Sequence, residues 1–170
     1  MPNISLAEAV KLKSVLSNRV RELENEMERV AFVEIEKGSE VPAQTRTLST
    51  VEKELDEVRK DLRLLDKLMY QANIQNEIVF NDEALTIVEA IELATQLRAK
   101  ARTYKKYGAS KEEYPYSYGE NVMIVKLAMF NPEEYRLKSI EIERQANRLS
   151  NLINAKNYEI ELAFDSEKYF

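Results

Sequence analysis

Apolar residues in the first part of the chain recur at alternating spacings of three and four, the pattern of a helix that buries one stripe. Ser5 and Glu8 have the spacing of a capping box just before this stripe begins. Neither glycine nor proline interrupts the chain from Ser5 until Gly38, so the pattern predicts one helix of about 32 residues. Its stripe comprises Ala9, Leu16, Val20, Leu23, Met27 and Val30.

A second stripe with the same spacing follows a polar connection at residues 38–47. Ser49 and Glu52 repeat the capping-box spacing, which predicts that the second helix begins there. Two long heptad helices with a short break between them predict an antiparallel helical hairpin over about residues 5–76. The second stripe comprises Val51, Leu55, Val58, Leu62, Leu65, Met69 and Ala72.

After the hairpin, short strand signals alternate with helix signals. A strand is predicted at Ile78–Phe80, and Thr86 with Glu89 forms a third capping box. The stripe that follows predicts a helix over about residues 86–108. Residues 109–121 are rich in tyrosine and carry turn-forming residues, so they predict a loop.

Residues 122–165 predict a strand, a helix and a C-terminal strand. Val122–Phe130 is apolar at alternate positions on both faces, which is typical of a buried strand. Asn131 followed by Pro132 is a strong helix start. The final strand is indicated by alternating apolar positions, namely Tyr158, Ile160, Leu162 and Phe164.

These elements predict a mainly α fold in a single domain over residues 1–170. A long antiparallel helical hairpin and two further helices would accompany a small β-sheet of two or three short strands, a minor α+β component.

Composition excludes several kinds of chemistry. The 170 residues include no Cys, His or Trp, which excludes histidine triads, cysteine nucleophiles, disulfides and Cys/His zinc sites. The chain opens without the basic and apolar segments of a secretory signal. Its longest apolar run is also much shorter than the roughly 20 residues of a spanning helix. We therefore expect a cytoplasmic protein with no membrane span and no cofactor.

One basic segment is the sharpest candidate site. Residues 98–111 carry six cations and no acidic residue, although the net charge of the chain is −5. Three of these cations fall on one helix face at spacings of four and three. The candidate face, for an anion or for contact with another subunit, comprises Arg98, Arg102, Tyr104, Lys105, Lys106 and Tyr107.

Two interpretations of this face stay open. The cations could bind phosphate or nucleic acid, with the tyrosines stacking on bases. Alternatively, they complement the helix dipole or pair with an acidic helix of another subunit. The sequence favours the second interpretation, so nucleic acid is not the expected partner.

Paired carboxylates suggest a different class of protein. Glu54 with Glu57, and Glu89 with Glu92, have the Glu-x-x-Glu spacing that helical nucleotide pyrophosphohydrolases use for Mg²⁺. Such pairs are frequent in acidic helices, and Glu89 already belongs to a capping box. We therefore predict no catalytic, cofactor-binding or metal residues, and a Mg²⁺-dependent pyrophosphohydrolase is the second alternative.

Several short segments resemble, in order, the septicolysin-like family of small bacterial helical proteins. They are Ser5-Leu-Ala-Glu-Ala-Val, Leu64-Leu-Asp-Lys-Leu with Asn73-Ile-Gln-Asn, Leu85-Thr-Ile-Val-Glu-Ala, and Asn157-Tyr-Glu-Ile-Glu-Leu. The resemblance implies a helical, self-associating protein, and some members of the family carry a pore-forming label. It implies no catalytic residues.

The sequence thus predicts a non-catalytic structural or interaction module that forms a homo-oligomer, either a dimer or a higher assembly such as a hexamer. No small-molecule substrate is indicated. The first alternative is a pore-forming, septicolysin-type protein, because Val122–Phe130 has about the length of one transmembrane strand.

Overall fold

The computed structural model describes residues 3–117 and 122–169, and there the protein is mainly α-helical with a minor β part, as predicted. The helices are α1 (Leu6–Ala31), α2 (Leu48–Gln75), α3 (Ile87–Gly108) and α4 (Pro132–Glu159). The strands are β1 (Asn3–Ser5), β2 (Glu77–Phe80), β3 (Glu83–Thr86), β4 (Glu113–Ser117), β5 (Met123–Lys126) and β6 (Glu161–Ala163).

The chain divides into two compact units. The first combines Met1–Asn76 with Lys156–Phe170, and the second is Glu77–Ala155. The assignment of a single domain stays a prediction.

The first unit is built on the antiparallel pair α1 and α2. The capping box of α1 forms as predicted: the amide of Glu8 donates to the Ser5 hydroxyl, and the Glu8 carboxylate accepts from the Ser5 amide. The heptad stripes of both helices face a common core. Its buried residues include Leu12, Leu16, Leu23, Val51, Leu55, Val58 and Leu65.

The connection between these helices is longer than the sequence predicts. α1 ends at Ala31 rather than continuing towards Gly38, and Phe32 is extended, with φ −133° and ψ 151°. Aromatic and β-branched residues follow at positions 32, 33 and 35, and they disfavour a helix because they lose side-chain freedom in it. α2 begins at Leu48 under a Thr47 cap, so the predicted start at Ser49 and Glu52 is also wrong.

A two-stranded ladder joins the two ends of the described chain. β1 pairs antiparallel with β6, with Ile4 opposite Leu162, and both side chains are buried. The predicted alternation is confirmed at Ile160, Leu162 and Phe164, which are buried. Tyr158 is exposed because α4 continues to Glu159, so the strand starts later than predicted.

In the second unit, a tight hairpin leads into α3. β2 confirms the strand predicted at Ile78–Phe80 and pairs with β3 across Asn81 and Asp82. Both turn residues have positive φ, 50° and 63°, as a type I′ hairpin turn requires. The capping box of Thr86 with Glu89 then starts α3 as predicted.

Helices α3 and α4 run antiparallel and approach closely. Arg98 near the middle of α3 contacts Ser150, whereas Gly108 at its end lies against Arg136 near the start of α4. A Cβ atom on Gly108 would be 2.6 Å from the Arg136 Cα. Ala94 and Ala101 precede Gly108 at heptad spacing, so small residues permit this approach.

The tyrosine-rich stretch is partly a strand. Residues 113–117 form β4, which pairs antiparallel with β5, whereas the predicted loop covered all of 109–121. Residues 118–121 of that prediction lie outside the described residues. β5 could be predicted from its alternating apolar side chains and from the length of the apolar run. Its partner β4 was missed because it contains Pro115, and proline is unusual inside a strand.

The described strands form three separate two-stranded sheets rather than one small sheet. β5 also differs from the buried strand that was predicted, since all four of its residues are exposed within a single chain. Periodicity showed that this strand is apolar on both faces, but it could not show what covers those faces.

Candidate functional site

The basic face of α3 lines a groove between α3 and α4. Arg98, Arg102 and Lys105 lie on the α3 side, as the sequence predicted. The groove has a volume of about 220 Å³ and is open to solvent. The α4 side contributes Ser139, Glu143, Ala146 and Asn147.

Within the described ranges, the three cations have no carboxylate partner. Arg98 donates a hydrogen bond to the Ser150 hydroxyl. Among residues 3–117 and 122–169, neither Arg98, Arg102 nor Lys105 forms an ion pair, although Glu143 lies in the same groove. The groove therefore holds more positive charge than its own walls neutralise.

By contrast, most ion pairs of α4 form within α4 itself. Glu133 accepts two hydrogen bonds from the Arg136 guanidinium, which lower the pKa of Glu133. Lys138 pairs with Glu134 at 2.7 Å, and Arg144 with Glu141 at 3.8 Å. Glu133, Glu134 and Glu141 are thus each paired within their own helix.

The predicted tyrosines belong to a different cluster. Tyr104 packs edge-to-face on Tyr135, with ring centroids 4.9 Å apart, and Tyr107 lies 5.3 Å from Phe130. Phe130 and Tyr135 are 5.0 Å apart. With about 100° of rotation per helical residue, Tyr104 and Tyr107 lie on the other flank of the α3–α4 contact from Arg98. They hold the end of α3 against the start of α4.

Lys106 is likewise separated from the groove. It lines a second cavity of about 440 Å³ together with Tyr107, Leu127, Met129 and Phe130. The structure therefore brings together three of the six predicted residues and places the other three elsewhere. Sequence reasoning missed the α4 wall, whose signal is the four-residue spacing of Ser139, Glu143 and Asn147.

The paired carboxylates serve structural contacts. Glu54 pairs with Arg46 and with Arg19, and these hydrogen bonds lower the pKa of Glu54. The Glu89 carboxylate accepts from the Thr86 amide in the capping box, which lowers its pKa as well. Within the described ranges, no group of three Asp or Glu residues is arranged to hold a metal ion.

An exposed apolar segment is the second candidate surface. It comprises Val122, β5 and the residues after it as far as Met129, and is named here the apolar segment. Met123 is 72% exposed and Met129 is 96% exposed. The other exposed apolar side chains are Val122, Ile124, Val125 and Leu127. Its one charged residue, Lys126, pairs with Glu113 at 3.6 Å.

The helices offer no membrane-crossing segment: in the part of the chain that the structure describes, none is both long and apolar enough to span a bilayer.

Comparison with known proteins finds a similar fold but gives no information on function. No protein-family model matches the sequence, and no curated protein matches it significantly. A crystal structure of a functionally unknown conserved protein from Corynebacterium diphtheriae is similar, with a TM-score of 0.64 and 20% identity. The match covers 95% of this chain and 99% of the other. At that identity the likeness concerns the fold alone.

Proposed function

We propose that this protein is a non-catalytic, self-associating module of the cytoplasm, whose apolar segment contacts a second copy of the chain. The observation that carries this proposal is the exposure of six large apolar side chains within residues 122–129. Exposed apolar side chains grouped in this way are typical of protein–protein contacts, since leaving them in water is unfavourable.

A second copy is the occupant that the segment favours. The described strands β4 and β5 pair only with each other, and an isolated two-stranded ribbon is marginally stable in water. A two-fold symmetric contact sets the same patch of each copy against the other, so an apolar patch suits itself. Lys126 is already paired within the chain, so the contact would not bury an unpaired charge.

The absence of catalysis in this proposal rests on the contacts of the acidic residues. Glu54 and Glu89 are held by arginines and by a helix cap respectively. The Glu92 side chain accepts a hydrogen bond from Gln96 of the next helical turn.

Size-exclusion chromatography with light scattering tests the proposal. We expect a mass of at least twice the 19.8 kDa of one chain at micromolar concentration. Leu127→Glu should shift the mass towards that of a single chain, because a charge in a contact core is not solvated. Val79→Glu is the matched control, since Val79 is an exposed strand residue outside the apolar segment.

A wild-type protein that remains a single chain at these concentrations would overturn self-association. An equal effect of Leu127→Glu and Val79→Glu would instead overturn the assignment of the contact to residues 122–129. Circular dichroism on each variant shows that the helices remain folded.

Two other functions have assays that would contradict the proposal. The apolar segment is also long enough for one transmembrane strand, so a pore-forming protein would release dye from liposomes, and Leu127→Glu would abolish the release. A pyrophosphohydrolase would release pyrophosphate from nucleoside triphosphates with Mg²⁺ and lose that activity in Glu92→Gln. We expect intact vesicles and no release of pyrophosphate.

A further inference from the structure

We propose that the groove between α3 and α4 binds a small polyvalent anion of the phosphate class, held by Arg98, Arg102 and Lys105. This inference does not depend on self-association, because it rests on a different surface. It also concerns binding alone and requires no reaction at the site.

The first argument is charge. Three cations and one carboxylate, Glu143, line the groove, so its walls carry a net charge of about +2. Like charges that converge repel each other, and a bound dianion would relieve this repulsion. In the first unit, by contrast, the charges of arginines are neutralised within the protein, since Arg19, Arg46 and Arg59 each pair with a glutamate.

The helix dipole does not account for the whole cluster. Cations are favoured near a helix C-terminus, but the effect falls off within the last turn. In α3 the last turn contains Lys105 and Lys106. Arg98 and Arg102 lie further from Gly108, so the dipole leaves both of them unexplained.

The groove also offers suitable donors. A guanidinium presents N–H groups in a planar fork that matches two oxygens of a phosphate. Asn147 lies on the α4 wall and makes no hydrogen bond to other described residues, so its amide is free to donate. Ser139 does not add a donor, because its hydroxyl already donates to the Arg136 carbonyl at 2.7 Å.

The size and surroundings of the groove narrow the ligand. Drug-sized ligands occupy pockets of about 300–1,000 Å³, whereas this groove has about 220 Å³. A small anion such as phosphate or pyrophosphate therefore fits better than a nucleotide. Single-stranded nucleic acid binds by stacking its bases on aromatic rings beside a basic groove, but Tyr104 and Tyr107 lie outside this groove and pack against Tyr135 and Phe130.

Isothermal titration calorimetry of the full chain with inorganic phosphate, and separately with pyrophosphate, tests the inference. Sodium chloride keeps the ionic strength constant, so that general screening does not change during the titration. We expect one anion per chain, with pyrophosphate binding more tightly than phosphate. Lys105→Gln and Arg102→Gln should each weaken binding about tenfold, the effect of losing one charge-assisted hydrogen bond.

Lys106→Gln is the matched control, because it removes the same charge from the next residue of α3 but lies outside the groove. It should change the affinity by less than about twofold. Equal losses in Lys105→Gln and Lys106→Gln would overturn the inference in favour of a diffuse electrostatic effect.

Two further outcomes would also overturn it. One is the absence of heat with both anions. The other is a Lys105→Gln variant whose oligomeric mass changes while the wild type binds no phosphate, which would assign the groove to contact with another subunit. Because the oligomeric mass is measured separately with Leu127→Glu, a failure of self-association cannot be mistaken for a failure of anion binding.

Discussion

The two antiparallel helix pairs of this protein use different kinds of residue at the contact between their helices. α1 and α2 meet through large aliphatic side chains, and ion pairs bridge them, such as Lys13 with Asp66 at 2.6 Å and Arg59 with Glu24 at 2.7 Å. α3 and α4 meet at Gly108, where a side chain is absent, and through the aromatic contact of Tyr104 with Tyr135. Cations of α3 stand in the groove beside that contact without carboxylate partners in the described chain.

This difference separates charged side chains that stabilise the fold through ion pairs from charged side chains that are free to bind a ligand. In the first pair, Arg46 joins Glu26 and Glu54, and so ties the loop before α2 to both helices. Removing such a residue should affect stability. In the second pair, Tyr104 packs against Tyr135 and Gly108 lies against Arg136, whereas Arg102 and Lys105 make no ion pair with other described residues, so we expect these two cations to be replaceable without loss of packing.

The largest effect is expected in the core of the first pair. Leu16→Ala removes a fully buried side chain from α1 and should lower the free energy of unfolding by about 3 kcal/mol, through lost burial and a residual cavity. Urea denaturation followed by circular dichroism measures it. Val10→Ala on the same helix is the control, since Val10 is 50% exposed and should change stability by less than about 0.5 kcal/mol. Similar losses in both variants would contradict the assigned core.

A smaller effect with an informative sign is expected at Gly108. In an exposed helix interior, glycine to alanine stabilises by about 1 kcal/mol. Here Gly108→Ala should destabilise by about 1 kcal/mol or more, because the new Cβ would overlap the Arg136 backbone. The same denaturation experiment gives the sign, with Thr103→Ala on the same helix as the control. A stabilised Gly108→Ala protein would show that α3 and α4 do not approach this closely.

The smallest effect on stability is expected from the ion pairs of Glu54 in the first helix pair. Hydrogen bonds from Arg46 and Arg19 lower the pKa of Glu54 below its usual 4.5. The unfolded chain therefore takes up the proton first as the pH falls, and the contribution of Glu54 to stability is complete above about pH 4.5 and is lost below it. Because Glu54 is 32% exposed, we expect Glu54→Gln to cost about 1 kcal/mol or less at neutral pH.

Denaturation of the wild type and Glu54→Gln at neutral and acidic pH measures this loss, and the difference between the two proteins should shrink in acid. Arg102→Gln in phosphate-free buffer provides the contrast, since Arg102 has no ion pair among the described residues and should leave stability unchanged at both pH values. If Arg102→Gln lowered the free energy of unfolding more than Glu54→Gln, the assignment of stabilising charges to the first helix pair would be wrong.

Local signals in the sequence were enough to predict most of the helical framework. The capping boxes at Ser5 and Thr86 act over three residues, so they can be recognised without knowledge of the rest of the fold. The end of α1 could not be predicted from helix-breaking residues, because it is set by the extended preference of Phe32 and its neighbours. β1 escaped prediction because three residues carry no periodicity and its partner, β6, lies at the other end of the chain.

The candidate site was likewise predictable only in part. The spacing of Arg98, Arg102 and Lys105 placed them on one face of α3, because residues four and three apart share a helix face. The sequence could not predict that Tyr104 and Tyr107 pack against α4, since that depends on which flank of α3 the second helix occupies. Nor could it predict the exposure of β5, because the alternation of apolar residues is the same whether neighbouring chain covers them or not.

The ladder between β1 and β6 also has a consequence for how the chain is made. Ribosomes deliver the N-terminal segment first, so α1 and α2 can pair while the second unit is still being synthesised. Ile4, in contrast, must wait until Leu162 has emerged before it is covered. The second unit is thus an insertion between two parts of the first, and closing this long loop delays the last step of folding. We therefore expect the first unit to begin folding before the second unit is synthesised and to be completed only when β6 is available.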